Sequence, residues 1–306
     1  MADATEAVAA GFVALSAGRA TVPLRPSVPL SAAGVAFAMP VSLDGGRWFA
    51  VKVVSVAPVN AAAGRPVVSA AILLGDAESG ELVALLEGGA LTALRTGAAG
   101  GVAARALSRP SSAAVALFGG GAQARTQLVA LVAVRPVREV RVVTRDPVNA
   151  ATFCAWAATE PCLRDIRIQR ANRREAVESA DIVVTATSSP TPVFDGRWLG
   201  KGVHITAVGS YAPHMRELDD EALGGARLVV DQRDAALAEC GELHGRSADE
   251  LVEIGEILAG RVAGRSTAEE RTVFKSVGNA IQDLVVATLA YERARAGGIG
   301  EEVAFP

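Results

Sequence analysis

Hydrophobic and polar positions follow two different periods along the chain. In the first part, residues 4–17 have the spacing of an amphipathic helix that Gly18 ends, and residues 90–107 form a second helical pattern rich in Ala and Gly. The apolar runs between them predict strands, the last two joined as a hairpin, at 35–39, 47–56, 67–74 and 82–86. The first part of the chain is therefore predicted to be a mixed α+β unit.

From residue 113 onward, apolar strands alternate with helical segments. The predicted strands are at 113–118, 139–143, 166–169, 181–186, 203–208 and 227–230. Alternation of this kind is typical of a doubly wound, mostly parallel sheet. Near the end, a capping-box pattern at 266–269 precedes a predicted long helix at about 276–296. Its apolar stripe has to be buried against the first part of the chain or against a second subunit.

A glycine turn follows the first of these strands. Residues 113–118 are apolar throughout, and Gly119, Gly121 and Ala124 fit the pattern G-x-G-x-x-A. Gly119 permits a tight turn, Gly121 lets backbone approach a pyrophosphate, and Ala124 lets the next helix pack closely on the strand. The alternative is an ordinary glycine-rich loop, but the flanking strands favour dinucleotide binding. The predicted fold class is α/β: a Rossmann doubly wound nucleotide-binding domain plus a mixed α+β domain that the C-terminal helix completes.

Three cations lie in apolar or small-residue surroundings. Lys52 stands among valines, so it either protects a sheet edge or faces an anion in a cleft, where burial would lower its pKa. Arg95 shares a helix face with Thr92 and Thr96. It is either a solvated arginine or, as its small neighbours favour, one that faces a cleft. Arg25 lies just before a proline in an extended segment.

Composition narrows the choice of partners and compartment. The 306 residues carry a formal net charge of -3 without a basic tract, so neither nucleic acid nor a membrane surface is an expected partner. The acidic N-terminal segment is unlike a signal peptide, and no apolar run is long enough to span a bilayer. The three cysteines lack CxxC spacing and the three histidines do not cluster. We therefore expect a cytoplasmic protein without disulfides or a bound metal.

An ordered set of short segments carries a resemblance to a known family. In chain order they are Met39-Pro40, Val51-Lys52-Val53-Val54, Pro58-Val59-Asn60, 91–99, 119–124, 180–187, Val208-Gly209-Ser210, Glu217-Leu218 and 272–278. On these segments the chain resembles the ornithine cyclodeaminase and mu-crystallin family over nearly its whole length. Because their order is kept, the set is far more specific than the glycine turn alone.

The resemblance implies a domain organisation and a set of site residues. Residues 1–112 with 275–306 would form a substrate-binding and dimerisation domain, residues 113–274 the Rossmann NAD(P)-binding domain, and the chain a homodimer. The implied substrate-binding residues, of which Lys52 and Arg95 are also catalytic candidates, are Arg25, Met39, Lys52, Arg95, Tyr211 and Val277. The implied cofactor-binding residues are Arg95, Thr96, Gly119, Gly121, Ala122, Gln123, Thr144, Arg145, Thr185, Ala186, Thr187, Val208, Gly209, Ser210 and Ser276.

Two departures from the family pattern refine the expected chemistry. Ornithine cyclodeaminases have an Asp that handles the side-chain amine of the substrate, where this chain has Tyr211. The second Rossmann strand ends in Thr144 and Arg145, without an acid for the ribose hydroxyls. NADPH is therefore the expected cofactor, with NADH as the second choice. The alternative is that Arg145 stacks on the adenine and accepts either cofactor.

Together these features predict reduction of a cyclic imino acid. The substrate would be Δ1-pyrroline-2-carboxylate or Δ1-piperideine-2-carboxylate, and the product L-proline or L-pipecolate. Arg25 and Arg95 would clamp the carboxylate, and Lys52 would orient it or relay a proton to the ring nitrogen. The alternatives are an ornithine cyclodeaminase, an alanine dehydrogenase, and a non-enzymatic NADPH-dependent binding protein like mu-crystallin.

Overall fold

Two sheets organise the computed structural model, which describes residues 1–32 and 34–304. The strands of the first sheet are β1 (Ala20–Thr21), β2 (Ser27–Pro29), β3 (Val35–Leu43), β4 (Trp48–Val56), β5 (Val68–Asp76) and β6 (Leu82–Glu87). They pair antiparallel in the order β1-β3-β4-β5-β6, and β2 also pairs with β3. β4 therefore lies inside this sheet, with a neighbour on each side.

The helices lie between and around the two sheets. They are α1 (Ala2–Ser16), α2 (Gly88–Leu107), α3 (Ala122–Val134), α4 (Pro147–Thr159), α5 (Arg173–Glu178), α6 (Asp220–Leu223), α7 (Arg233–Glu239), α8 (Ile254–Leu258) and α9 (Ala280–Ala296). The C-terminal helix α9 returns to the first sheet and packs against β3, β4 and β5 as well as α1. Phe12, Ile72, Leu74, Ile281 and Leu284 belong to the resulting apolar core. The prediction that the C-terminal helix completes the first unit is confirmed.

The second sheet is parallel throughout and has eight strands among the described residues. They are β7 (Ala114–Phe118), β8 (Glu139–Val143), β9 (Arg167–Arg170), β10 (Ile182–Thr185), β11 (His204–Ala207), β12 (Arg227–Val230), β13 (Leu251–Glu253) and β14 (Thr272–Lys275). The order is β13-β12-β14-β11-β10-β7-β8-β9. Alternate residues of β10 enter different cores, Ile182 and Val184 on one face and Val183 on the other. The predicted doubly wound fold is confirmed, and the strand order reverses between β7 and β10, where such sheets bind ligands.

The end of the chain differs from the prediction in two respects. Residues 266–269 do not begin a helix, because Thr267 accepts a hydrogen bond from the Glu270 amide within a turn that leads into β14. The long helix begins at Ala280 rather than at residue 276, since Gly278 takes a φ of 83° and Asn279 caps the helix. The sequence patterns also missed strands β13 and β14, although β14 lies between β11 and β12.

Candidate active site

The glycine turn after β7 presents backbone rather than side chains. Gly119 has a φ of 116°, and a Cβ there would collide with the Ala186 carbonyl, so this position requires glycine. No described atom lies within 4 Å of where a Cβ would stand on Gly121. Among the described residues no side chain caps α3, so the N–H groups of Ala122 and Gln123 are available at its N-terminus. This arrangement suits an anionic phosphate group.

The polar groups in the loops after β10 and β11 are bound to a buried carboxylate, Glu217. The Thr185 hydroxyl donates to it over 2.8 Å, and the amide and hydroxyl of Thr187 and the Gly209 amide each donate over 2.7 Å. The Ser210 hydroxyl donates to a second buried carboxylate, Glu242, over 2.6 Å. These two loops therefore present mainly backbone and apolar side chains to a ligand, including those of Ala186 and Val208. Glu217 belongs to a segment that carries the family resemblance, but it was not among the predicted site residues.

Thr144 and Arg145 follow the carboxyl end of β8. Thr144 lies beside the glycine turn, with its Cγ2 3.3 Å from the position of a Cβ on Gly120. Its hydroxyl donates to the Asp146 carbonyl over 2.6 Å. Arg145 is exposed and forms no ion pair with any described residue. Its guanidinium is therefore free to meet a group bound at the end of β8.

Lys52 and Arg95 converge on one carboxylate, Asp283 of α9. Lys52 Nζ lies 2.6 Å from Asp283 Oδ2, and Arg95 Nε lies 3.1 Å from Asp283 Oδ1. Arg95 Nη1 also donates to Gln282 Oε1 over 2.6 Å. Lys52 is 1% exposed on an interior strand, and Arg95 is 6% exposed. The edge-strand interpretation of Lys52 and the solvated-arginine interpretation of Arg95 are therefore wrong.

The pKa of Lys52 is lowered to about 8, mainly by burial and also by the nearby positive charges of Arg95 and Arg25, whereas Asp283 opposes the change. The ammonium and the free amine are thus both accessible near neutral pH. A lysine with such a pKa can hold a proton or release one during a reaction.

Arg25 connects the first sheet to the carboxyl edge of the second. Its Nη2 lies 2.7 Å from Glu239 Oε2 and donates to the Tyr211 carbonyl over 3.1 Å. Its Nη1 donates to the Val277 carbonyl over 3.4 Å. Burial lowers the pKa of Arg25, with Glu239 acting in the opposite direction. Arg25 and Glu239 line a small cleft together with Met39, so two of the predicted substrate-binding residues share one surface.

The cation cluster and the nucleotide turn are joined by direct packing. A Cβ on Gly278 would lie 2.6 Å from Arg95 Nη1, so the guanidinium rests against the backbone just after β14. The Thr96 carbonyl accepts a hydrogen bond of 2.7 Å from Gln127 of α3, the helix that follows the glycine turn. Ser276, at the end of β14, donates to Asp231 over 2.8 Å. The predicted substrate and cofactor residues therefore meet at the carboxyl edge of the parallel sheet.

Sequence reasoning missed the acidic half of this site: Glu217, Asp231, Glu239, Glu242 and Asp283. Asp283 left a signal, since it is the only acid in the mainly apolar stretch 280–291. Glu239 left none, because its partner lies in a distant segment of the chain.

Neither a metal cluster nor a membrane-spanning helix occurs within residues 1–32 and 34–304. No group of three or more His, Cys, Asp or Glu side chains could hold a metal ion there, and no helix is long and apolar enough to cross a membrane. His204 bonds to the hydroxyls of Thr272 and Thr206, and burial lowers its pKa to about 3. This histidine is a neutral, structural group.

The molecule has a doubly wound parallel sheet with a dinucleotide-type glycine turn, and a buried cation cluster faces that turn. These two features define a class of two-sheet α/β proteins that bind a nucleotide next to a small anion. The chain belongs to the ornithine cyclodeaminase/mu-crystallin family, whose model matches residues 1–298. It is 39% identical over 299 residues to a Δ1-pyrroline-2-carboxylate reductase of Bacillus cereus, covering 95% of this chain and 91% of the relative.

Two solved structures are also very similar to this chain. The Δ1-pyrroline-2-carboxylate reductase of Thermococcus litoralis, in complex with NADH and L-proline, has a TM-score of 0.93 and 39% identity, covering 98% of this chain and 95% of that one. An archaeal alanine dehydrogenase dimer with bound NAD has a TM-score of 0.93 and 34% identity, covering 100% of this chain and 95% of that one.

Proposed function

We propose that this protein reduces a cyclic imino acid, Δ1-pyrroline-2-carboxylate or Δ1-piperideine-2-carboxylate, with NADPH or NADH. The observation that carries the proposal is the convergence of three cations on one site. Three cations, Lys52, Arg95 and Arg25, form direct ion pairs with two carboxylates, Asp283 and Glu239. The substrate carboxylate, on the carbon that is reduced, would meet these cations as an additional anionic partner, while the buried Asp231 is bound by neutral donors.

Arg25 and Arg95 provide most of the substrate recognition. Arg95 is buried and Arg25 is half-buried, and the Nε of Arg25 has no hydrogen-bond partner among the described residues. A guanidinium can take a carboxylate through two parallel hydrogen bonds, which fixes direction as well as distance. Orientation of this kind supplies a large part of the rate enhancement in a two-substrate reaction.

The residues around the glycine turn fit a dinucleotide. The open backbone at Gly121 and the uncapped N-terminus of α3 would hold the pyrophosphate, and Arg145 would meet a 2′-phosphate. The chemistry that the bound nicotinamide cofactor supplies is a hydride for the imine carbon. Lys52 Nζ holds a proton beside the carboxylate clamp and passes it to the ring nitrogen, so that the secondary amine of the product is formed.

Tyr211 favours the reductase over the cyclodeaminase. Burial raises the pKa of its phenol, so the group is neutral at physiological pH and cannot attract an ammonium as a carboxylate does. Its partly buried ring instead offers a face to a compact, largely apolar substrate.

The homodimer and the domain division are part of the same proposal. The face of the antiparallel sheet that points away from α9 exposes apolar side chains, with Val53 at 51% and Leu85 at 71%. The similarity to a dimeric alanine dehydrogenase supports a homodimer, and two such apolar faces would form its interface. Residues 1–112 with 275–306 would then carry the dimer contact and the substrate cations, and residues 113–274 the cofactor.

Two parallel assays test the proposal on the purified protein. The first follows NADPH and NADH oxidation with each cyclic imine and with pyruvate plus ammonia, and we expect oxidation with an imine and L-proline or L-pipecolate as product. The second supplies L-ornithine with catalytic NAD, and we expect negligible ammonia. Robust formation of proline and ammonia from ornithine would instead establish a cyclodeaminase. NADPH binding without any imine-dependent oxidation would leave a binding protein.

A further inference from the structure

The turn that joins β14 to α9 lies between the two guanidiniums of the proposed clamp. Its Val277 carbonyl accepts a hydrogen bond from Arg25 Nη1 over 3.4 Å. The next residue, Gly278, packs against the guanidinium of Arg95, where a Cβ would lie 2.6 Å from Nη1 and 2.9 Å from Nη2. Two consecutive residues therefore touch Arg25 on one side and Arg95 on the other.

This turn is fixed by a carboxylate that touches neither arginine directly. Asp231 directly follows β12, the neighbour of β14, and is fully buried. Its Oδ2 accepts hydrogen bonds from the Ser276 hydroxyl over 2.8 Å and from the Gly278 amide over 3.0 Å, while its Oδ1 accepts one from the Gln232 amide over 3.1 Å. All three donors are neutral groups. The two oxygens of the carboxylate therefore hold the backbone of the turn in place through hydrogen bonds and do not form a direct ion pair.

A second contact joins the segment after β12 to the turn between β14 and α9. Asn279, which caps α9, donates to the Gln232 side chain over 2.7 Å. α9 in turn carries Gln282 and Asp283, the partners of Arg95 and Lys52. A shift of the turn would therefore also move Gln282 and Asp283, which hold Arg95 and Lys52 in place.

We propose that Asp231 is a positioning residue for the substrate carboxylate, because its buried side chain fixes the turn between Arg25 and Arg95 and so sets the separation of their guanidiniums. The proposal rests on the proposed function. It predicts that loss of the Asp231 carboxylate weakens substrate binding. The nucleotide turn, which lies on the other side of β10 and β11, should stay intact.

The first test is Asp231→Asn. An amide has one acceptor oxygen, so either the Gln232 amide or the Gly278 amide must face an NH₂ group. We expect the KM for the cyclic imine to rise by about tenfold, as for the loss of one well-placed hydrogen bond, and the Kd of NADPH in the binary complex to stay within about twofold. Ser276→Ala, which removes one donor without adding volume, should raise the same KM by a smaller factor and serves if the first variant does not fold.

A double-mutant cycle separates positioning from general destabilisation. In an Arg95→Ala background, Asp231→Asn should have a smaller effect than in the wild type, because one of the two guanidiniums whose separation it sets has been removed. Additive effects on KM, or an equal loss of NADPH affinity, would overturn the proposal. Asp234→Asn, an exposed position on the neighbouring helix α7, is the matched control and should leave both constants unchanged. Wild-type imine reduction is measured first, so an inactive wild type would reject the proposed function, whereas an active wild type with an unaffected Asp231→Asn variant would reject only the positioning role.

Discussion

Lys52 Nζ lies 2.6 Å from Asp283 Oδ2, and both side chains are 1% exposed. The lysine comes from the middle of the antiparallel sheet and the aspartate from the C-terminal helix, so the pair joins segments that the chain brings together only on folding. Asp283 also contacts Arg95, which allows two cations to coexist in a space that excludes water. Removing one partner of such a pair typically costs about 3–5 kcal/mol, because the other charge stays buried.

We first predict that kcat/KM for the cyclic imine falls as pH rises through about 8, the pKa to which burial lowers Lys52. The sign follows from the charge: below that pH Lys52 is an ammonium that attracts the substrate carboxylate and holds a proton, and above it the amine is neutral. Binding of pyrrole-2-carboxylate should weaken over the same range, and this flat analogue lacks an imine nitrogen that would itself titrate there.

Lys52→Arg provides the control for this pH profile. A guanidinium stays charged throughout the range, so the fall in pyrrole-2-carboxylate affinity near pH 8 should disappear in the variant. If the variant and the wild type lose affinity at the same pH, another group is responsible for the profile.

The second prediction concerns Arg95. Arg95→Ala removes a charge-assisted contact with a carboxylate, worth about 1.5–3 kcal/mol, which corresponds to a loss of kcat/KM of about 10–150-fold. Arg95→Lys should recover only part of this loss, because an ammonium cannot replace the planar fork that meets both Asp283 and Gln282. Steady-state kinetics on the imine check both variants. Arg174→Ala, on a 66% exposed arginine, is the matched control, and equal rates for Arg95→Ala and this control would contradict the clamp.

The main features of the fold could be predicted because they depend on local periodicity. Apolar runs and a glycine turn indicate a strand and its helix wherever they occur, and both parts of this chain contain them. β14, Thr272–Lys275, escaped because it runs directly into residues 276–279, into which the predicted long helix extends. Its place inside the sheet depends on pairing with β11 and β12, which no local pattern encodes.

The candidate site was predictable only on its cationic side. Lys52 and Arg95 stand out as charges in apolar or small-residue surroundings, and the resemblance gives them roles. The acid that pairs with Arg25 looks ordinary in the sequence: Glu239 is one more acid at the end of a short helix, yet it meets Arg25 across the molecule. Which charges meet is decided by the packing of the two sheets, so it becomes visible only in three dimensions.

The third prediction concerns the choice of cofactor. Arg145→Ala should raise the KM for NADPH by about tenfold or more, because a charge-assisted contact to the 2′-phosphate is lost, and should change the KM for NADH little. The measurement is the ratio of kcat/KM for the two cofactors in each protein. Arg138→Ala is the matched control, since Arg138 is exposed just before the opposite end of the same strand, β8. Equal kcat/KM for NADPH and NADH in the wild type would remove the basis of this assignment.

The fourth prediction is a gain of affinity. Glu239 lies 2.7 Å from Arg25 and offsets the positive charge that the substrate carboxylate has to meet. Glu239→Gln keeps the size of the side chain and removes the competing charge, while Arg25 retains the Tyr211 and Val277 carbonyls. We expect the KM for the imine to fall by about fivefold, equivalent to about 1 kcal/mol of reduced competition between charges.

The same change should lower the inhibition constant of the amino-acid product, because the product carries the same carboxylate. Its release would then slow, so kcat should stay level or fall even as the KM falls. The Kd of NADPH should be unaffected, and Asp234→Asn on the same helix α7 should alter none of these constants. A KM for the imine that rises in Glu239→Gln would mean that the ion pair orients Arg25 for the substrate rather than competing with it.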